Sequence, residues 1–82
     1  MLFDQMIEAK ARCVAEHGVP EQFTLSSPDF LTFIGTPHEL RTANHAATIW
    51  QFDQLSVTEA PDDASALHYF SASDVATRTM TL

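Results

Sequence analysis

The sequence predicts an α+β domain: an N-terminal amphipathic helix packed on a small, mostly antiparallel sheet, with one or two short helices inserted. Three observations carry this. Apolar residues recur at helical spacing through residues 2–17. Two Pro-containing helix starts follow, at Ser27-Pro28 and Thr36-Pro37. From Ala46 onward the apolar period changes to two. The 82 residues suit one small domain over 1–82.

The first helix is predicted over residues 2–17. Leu2, Phe3, Met6, Ile7, Ala9, Cys13 and Val14 form one stripe. Glu8 and Arg12 stand four apart on the other side, in the favourable order. The stop places His17 in the last turn, Gly18 at C′, Val19 to fold back, and then Pro20. Residues 22–26 alternate Phe23 and Leu25 with Gln22, Thr24 and Ser26, the pattern of a strand. A short helix then opens with Ser27 as N-cap, Pro28 at N1 and Asp29 in the first turn. Phe30, Leu31, Phe33 and Ile34 are its inward residues, and Gly35 ends it. Thr36, Pro37 and Glu39 spell a capping box, which predicts a second short helix ending near Asn44.

In the second half, Trp50 and Phe52 share one strand face, and Leu55 and Val57 share a face of opposite parity. A bulge or a tight turn at Asp53-Gln54 must absorb the switch. Residues 60–65, Ala-Pro-Asp-Asp-Ala-Ser, read as a turn. Residues 66–70 and 75–82 read as two further strands, separated by Ser71-Ala72-Ser73-Asp74. This gives three or four antiparallel strands after the helices.

Charge and composition narrow the function. The net charge is -7, with only Lys10, Arg12, Arg41 and Arg78 as cations. Phosphate backbones and anionic membranes both need clustered Lys and Arg, so direct nucleic-acid or membrane binding is not expected. No apolar run approaches the roughly 20 residues that span a bilayer. The start lacks the basic n-region of a secretory signal, and Cys13 is the sole cysteine, so no internal disulfide forms. A soluble, intracellular protein is the expectation. Charged residues make up 18% of the chain, below the roughly 25% of ordinary soluble domains. Nine Thr and six Ser fill the gap. A surface poor in charge and rich in Thr and aromatics is closer in character to an interface than to a free monomer's surface.

The chemical motifs are weak. Residues 38–45 hold His38-Glu39 and His45, but a zincin helix needs His-Glu-x-x-His, and Thr42 stands where the second histidine belongs. Glu39 already has a capping role. A metal site assembled from His38 and His45 with His17 or His68 has no marked third ligand, so no metal and no cofactor is expected. Cys13 and His17 are one helical turn apart, but Cys13 lies on the apolar stripe, where free cysteine behaves as a small hydrophobe. Both glycines, Gly18 and Gly35, serve as helix stops, leaving none for a phosphate loop. Asp62-Asp63 belong to a turn. No enzyme activity is expected.

The stretches Leu25-Ser26-Ser27-Pro28-Asp29-Phe30 and residues 55–70 resemble part of tailed-phage major capsid proteins, which run strand, Pro-capped helix, strand and Pro-containing turn in that order. The resemblance covers residues 22–70. More broadly, a compact acidic chain of this size resembles small accessory proteins of phages, a group that includes virion components and anti-CRISPR inhibitors of bacterial defence. The resemblance implies a virion or the cytoplasm of a host cell as location. It also implies a protein partner, either the chain itself or a bacterial host protein. The expected function is a non-catalytic protein–protein interaction module, self-associating as a virion or assembly component. The alternative is an acidic host-directed inhibitor that binds a basic surface; a small metal-dependent enzyme is a distant third. Trp50, Phe52, Tyr69 and Phe70 are the expected packing or contact residues, with Glu59, Asp62 and Asp63 steering by charge.

Overall fold

The structure is a computed structural model that describes residues 1–44, 49–61 and 64–82. Its elements are α1 (Leu2–Glu16), β1 (Val19–Leu25), α2 (Ser27–Gly35), β2 (Arg41–Asn44), β3 (Ile49–Phe52), β4 (Leu55–Glu59), β5 (Ala66–Ser71) and β6 (Ala76–Thr81). The strands form one sheet in the order β2-β3-β4-β1-β5-β6. Every neighbouring pair is antiparallel except β1 and β4, which run parallel. A parallel pair needs a crossover connection; here α2 and the β2–β3 hairpin supply it. The chain is α+β, with a mostly antiparallel sheet, as its patterning predicts.

Both helices pack on the same face of the sheet. Met6 and Cys13 of α1 and Phe33 of α2 are fully buried against Phe23, Leu25, Phe52 and Leu67. Alternation explains the sheet's contribution, because residues two apart share a face. Register then aligns Trp50 with Val57, Val57 with Phe23, Phe23 with Leu67 and Leu67 with Met80 across five strands. On α1 the stripe is narrower than its apolar composition suggests. Leu2, Met6, Ala9 and Cys13 are buried and Phe3 half-buried, but Ile7 and Val14 are exposed. Each follows a buried residue by one position, about 100° around the helix. Leu31 on α2 is likewise exposed rather than inward, while Phe30 and Ile34 are half-buried beside buried Phe33.

Several expectations are corrected. Gly18 is not a left-handed C′ residue, since no glycine has positive φ. It is needed for room: a Cβ there would lie 2.0 Å from the carbonyl oxygen of Phe70. The strand after α1 begins at Val19, so Pro20 lies inside it. Register explains how the proline is tolerated. The Leu82 amide donates to the Ser65 carbonyl (3.1 Å), which makes Ser65/Leu82 a bonded pair of the β5–β6 ladder, and Tyr69/Arg78 another. Tyr69 therefore spends its backbone groups on β6, and Pro20 opposite it has no N–H to supply. A register shift between Pro20 and Gln22 follows, and pairing with β4 starts only at Gln22. The N-cap of α2 is Ser26, one residue before the expected Ser27; its hydroxyl accepts from the Asp29 amide.

The capping box at Thr36 and Glu39 does not form, and no helix runs from there to Asn44. Residues 36–40 are irregular and end in a turn at Glu39 and Leu40, closed by His38 Nδ1 accepting from the Leu40 amide (3.0 Å). Arg41–Asn44 is strand β2, paired with β3. Arg41 explains the reversal. Its Nη1 donates to the carbonyls of Phe33 (2.9 Å) and Ile34 (2.7 Å), and its guanidinium lies 5.1 Å from the Trp50 ring centroid. Those contacts fold the chain back onto the end of α2, and tertiary packing overrides a local cap signal.

At Asp53-Gln54 the structure holds a tight turn rather than a bulge. Both residues have positive φ, 49° and 72°, and Phe52 pairs with Leu55, the arrangement of a two-residue type I′ hairpin. Asp62 and Asp63 of the expected 60–65 turn lie outside the described residues, as does His45. The ends of that turn are tied down. The Ala60 amide donates to Leu25 (2.6 Å), the Ser26 amide to Ser65 Oγ (2.9 Å), and Ser65 Oγ to Asp29 Oδ2 (2.5 Å).

Candidate protein-binding face

The helices leave the second face of the sheet uncovered. Its register positions include Val19, Gln22 and Thr24 on β1, Thr42 on β2, Ile49 and Gln51 on β3, Ser56 and Thr58 on β4, Ala66, His68 and Phe70 on β5, and Thr77, Thr79 and Thr81 on β6. None of these is buried. One row crosses all six strands: Thr42, Gln51, Ser56, Gln22, His68, Thr79. Six of the chain's nine threonines stand on this face. None of the residues at these positions is Asp, Glu, Lys or Arg, although the chain carries a net charge of -7.

The reason is local. Strand alternation sends every second side chain here, and β-branched threonine suits a pleated, half-solvated surface. His68 is half-buried, with Nε2 2.9 Å from Thr24 Oγ1. The two border a shallow depression of about 290 Å³ whose rim includes Pro61, Ala66, Thr79 and Thr81. Three ion pairs lie away from this face: Glu8 with Arg12, Lys10 with Asp53, and Arg78 with Asp74.

The sequence-predicted contact residues divide between the two faces. Phe52 is 1% exposed and Tyr69 8%, so both are core residues with almost no surface to offer. Trp50 is half-buried on the helix side, edge-on to Phe33 at 5.9 Å and beneath Arg41. Phe70 alone of the four reaches the open face, where it is half-buried opposite Thr77. Glu59 is exposed at the end of β4, and its carboxylate accepts from the Ser27 hydroxyl on the helix side. Thr77 and Thr79 alternate in the sequence as one side of the last strand, and that side is the open face; Thr24, Thr42 and Thr58 join them only through the register.

The histidines do not gather. His17 lies against Tyr69 (5.5 Å between rings), His38 against Phe3 (4.7 Å) and Phe52 (5.2 Å), and His68 on the open face. Among the described residues, no three of His, Cys, Asp and Glu converge. Cys13 is fully buried, 3.7 Å from the Gly18 carbonyl, and burial pushes its thiol pKa up. A raised pKa lowers the thiolate fraction on which nucleophilic attack depends. Among the described residues, no helix is long and apolar enough to cross a membrane. No family model, curated protein or solved structure matches the chain.

Proposed function

We propose that this protein is a non-catalytic, self-associating binding module whose contact surface is the open sheet face. The observation that carries the reading is the absence of formal charge at the described positions of that face. Two copies at -7 repel each other wherever their acids meet. The open face is where they can approach without opposed charges, and depletion of charge is the mark of an interface's centre. Two such faces would stack about 10 Å apart, their strands within about 30° of alignment. An assembly role of the kind found among small phage virion components fits this reading, and the resemblance noted in the sequence is what supports that finer assignment.

Sedimentation across protein concentration and salt tests it. Face-to-face association holds or tightens as salt rises, because screening weakens the repulsion between like-charged copies. An acidic inhibitor docked on a basic host protein would instead weaken with salt. A chain that stays monomeric at every concentration and salt would overturn the self-associating reading.

A further inference from the structure

We infer that a second copy of the chain also pairs along the free edge of β6, joining two sheets into one of twelve strands. The inference rests on the self-associating reading and adds a second interface to it. β6 is the last strand of the sheet, and its six residues pair with β5 without a register shift. Natural edges are usually blunted by proline, charged side chains, a bulge or a very short strand. β6 has no proline, bulge or shortening, and its one charge, Arg78, is held by Asp74 at 2.6 Å. The opposite edge, β2, has only four residues.

The backbone of β6 fixes which groups are free. The bonded pairs of the β5–β6 ladder include Ser65/Leu82, Leu67/Met80 and Tyr69/Arg78. Bonded and non-bonded pairs alternate in an antiparallel ladder. Thr77, Thr79 and Thr81 therefore aim their N–H and C=O groups outward, and among the described residues nothing bonds to them. An antiparallel copy related by a two-fold axis at Thr79 matches these groups, Thr77 to Thr81, Thr79 to Thr79 and Thr81 to Thr77.

Charge excludes one neighbouring register. Sliding one copy by two residues toward the start of β6 centres the axis on Arg78 and brings two guanidinium side chains face to face, a destabilising like-charge pair. With the axis at Thr79, each Arg78 stands opposite the other copy's half-buried Met80, where its aliphatic stem covers apolar surface.

The axis is perpendicular to the sheet, so both open faces end on the same side. One six-stranded face measures roughly 29 by 17 Å, about 500 Å² in projection. That is small beside the roughly 800 Å² per partner of a standard stable interface. Edge pairing doubles it to about 1,000 Å². Face and edge two-folds together close a tetramer with D2 symmetry.

Proline on β6 tests the edge without adding charge to the open face. Thr77→Pro and Thr79→Pro each remove an outward N–H that β5 does not use. Each should lower the sedimenting mass from four chains to two or one, with the circular dichroism spectrum unchanged. In a Cys13→Ala background, a short bis-thiol reagent should cross-link Thr79→Cys to itself. It should not cross-link Thr77→Cys to itself, because the two copies of residue 77 lie four residues, about 13 Å, out of register. A mass unchanged by both Thr77→Pro and Thr79→Pro overturns the edge pairing. If charges on the open face still lower the mass in that case, the self-associating reading survives. If wild type never associates, both fall.

Discussion

Lys10 on α1 holds the β3–β4 turn through Asp53 at two points: its ammonium lies 2.9 Å from Oδ2 and 3.0 Å from the Asp53 carbonyl oxygen. The turn needs holding, because Gln54 at φ 72° is neither Gly nor Asn. Lys10→Met should cost about 0.5–1 kcal/mol, the range for a partly exposed ion pair. Gln54→Gly should instead stabilise by roughly 0.5–1 kcal/mol, by relieving a conformation that type I′ turns reserve for glycine. Urea midpoints measure both.

The two glycines should respond in opposite directions. Gly18→Ala puts a Cβ 2.0 Å from a backbone oxygen of β5, so the α1–β1 connection must shift. A loss of about 3 kcal/mol or more is expected. Gly35 closes α2 without positive φ, and nothing lies within 4 Å of the place an alanine methyl would take there. Gly35→Ala should therefore stabilise by about 0.5–1 kcal/mol. Thermal unfolding of the pair reads the contrast.

Arg41→Ala should destabilise by about 2 kcal/mol, since two half-buried carbonyls at the end of α2 lose a charged donor. Arg41→Lys should recover part of that, because one ammonium can reach a carbonyl but cannot stack flat on Trp50. A Lys variant as stable as wild type would remove the stacking contribution.

Cys13 gives a pH dependence with a defined sign. Its folded pKa is raised above 9.0 by burial, so the native state favours the neutral thiol. The associated stability is fully present below the ordinary value and is lost as pH rises through the folded one. Wild type should thus lose stability more steeply above about pH 9 than Cys13→Ala, in urea melts taken at stepped pH. The native thiol should also resist aromatic disulfide reagents until the chain unfolds.

Much of this fold is written locally. The α1 stripe, the parity switch at residues 53–54 and the alternation of β5 and β6 all appear as period and punctuation. What escaped has non-local causes. Thr36-Pro37 with Glu39 is a sound helix start, and only Arg41 reaching back to Phe33 and Ile34 turns residues 41–44 into a strand. Gly18 reads as a helix stop, and only the approach of Phe70 shows it to be a spacer. Tyr69 and Phe70 are adjacent, so a strand must send them to opposite faces, but which one faces the helices depends on register with β1. The open face was the least legible feature. It comprises positions from all six strands and becomes a surface only when the register places Thr42, Gln51, Ser56, Gln22, His68 and Thr79 side by side.

The central claim is that the uncharged sheet face is the contact surface, and isosteric charge is its most direct test. Gln22→Glu with Gln51→Glu adds two carboxylates to the middle of the six-strand row while changing no side-chain size. Sedimentation should show the assembly falling to half its wild-type mass with an unchanged circular dichroism spectrum, while Leu31→Glu on the outer side of α2 leaves the mass alone. An assembly that keeps its full mass with both face carboxylates in place would contradict the account.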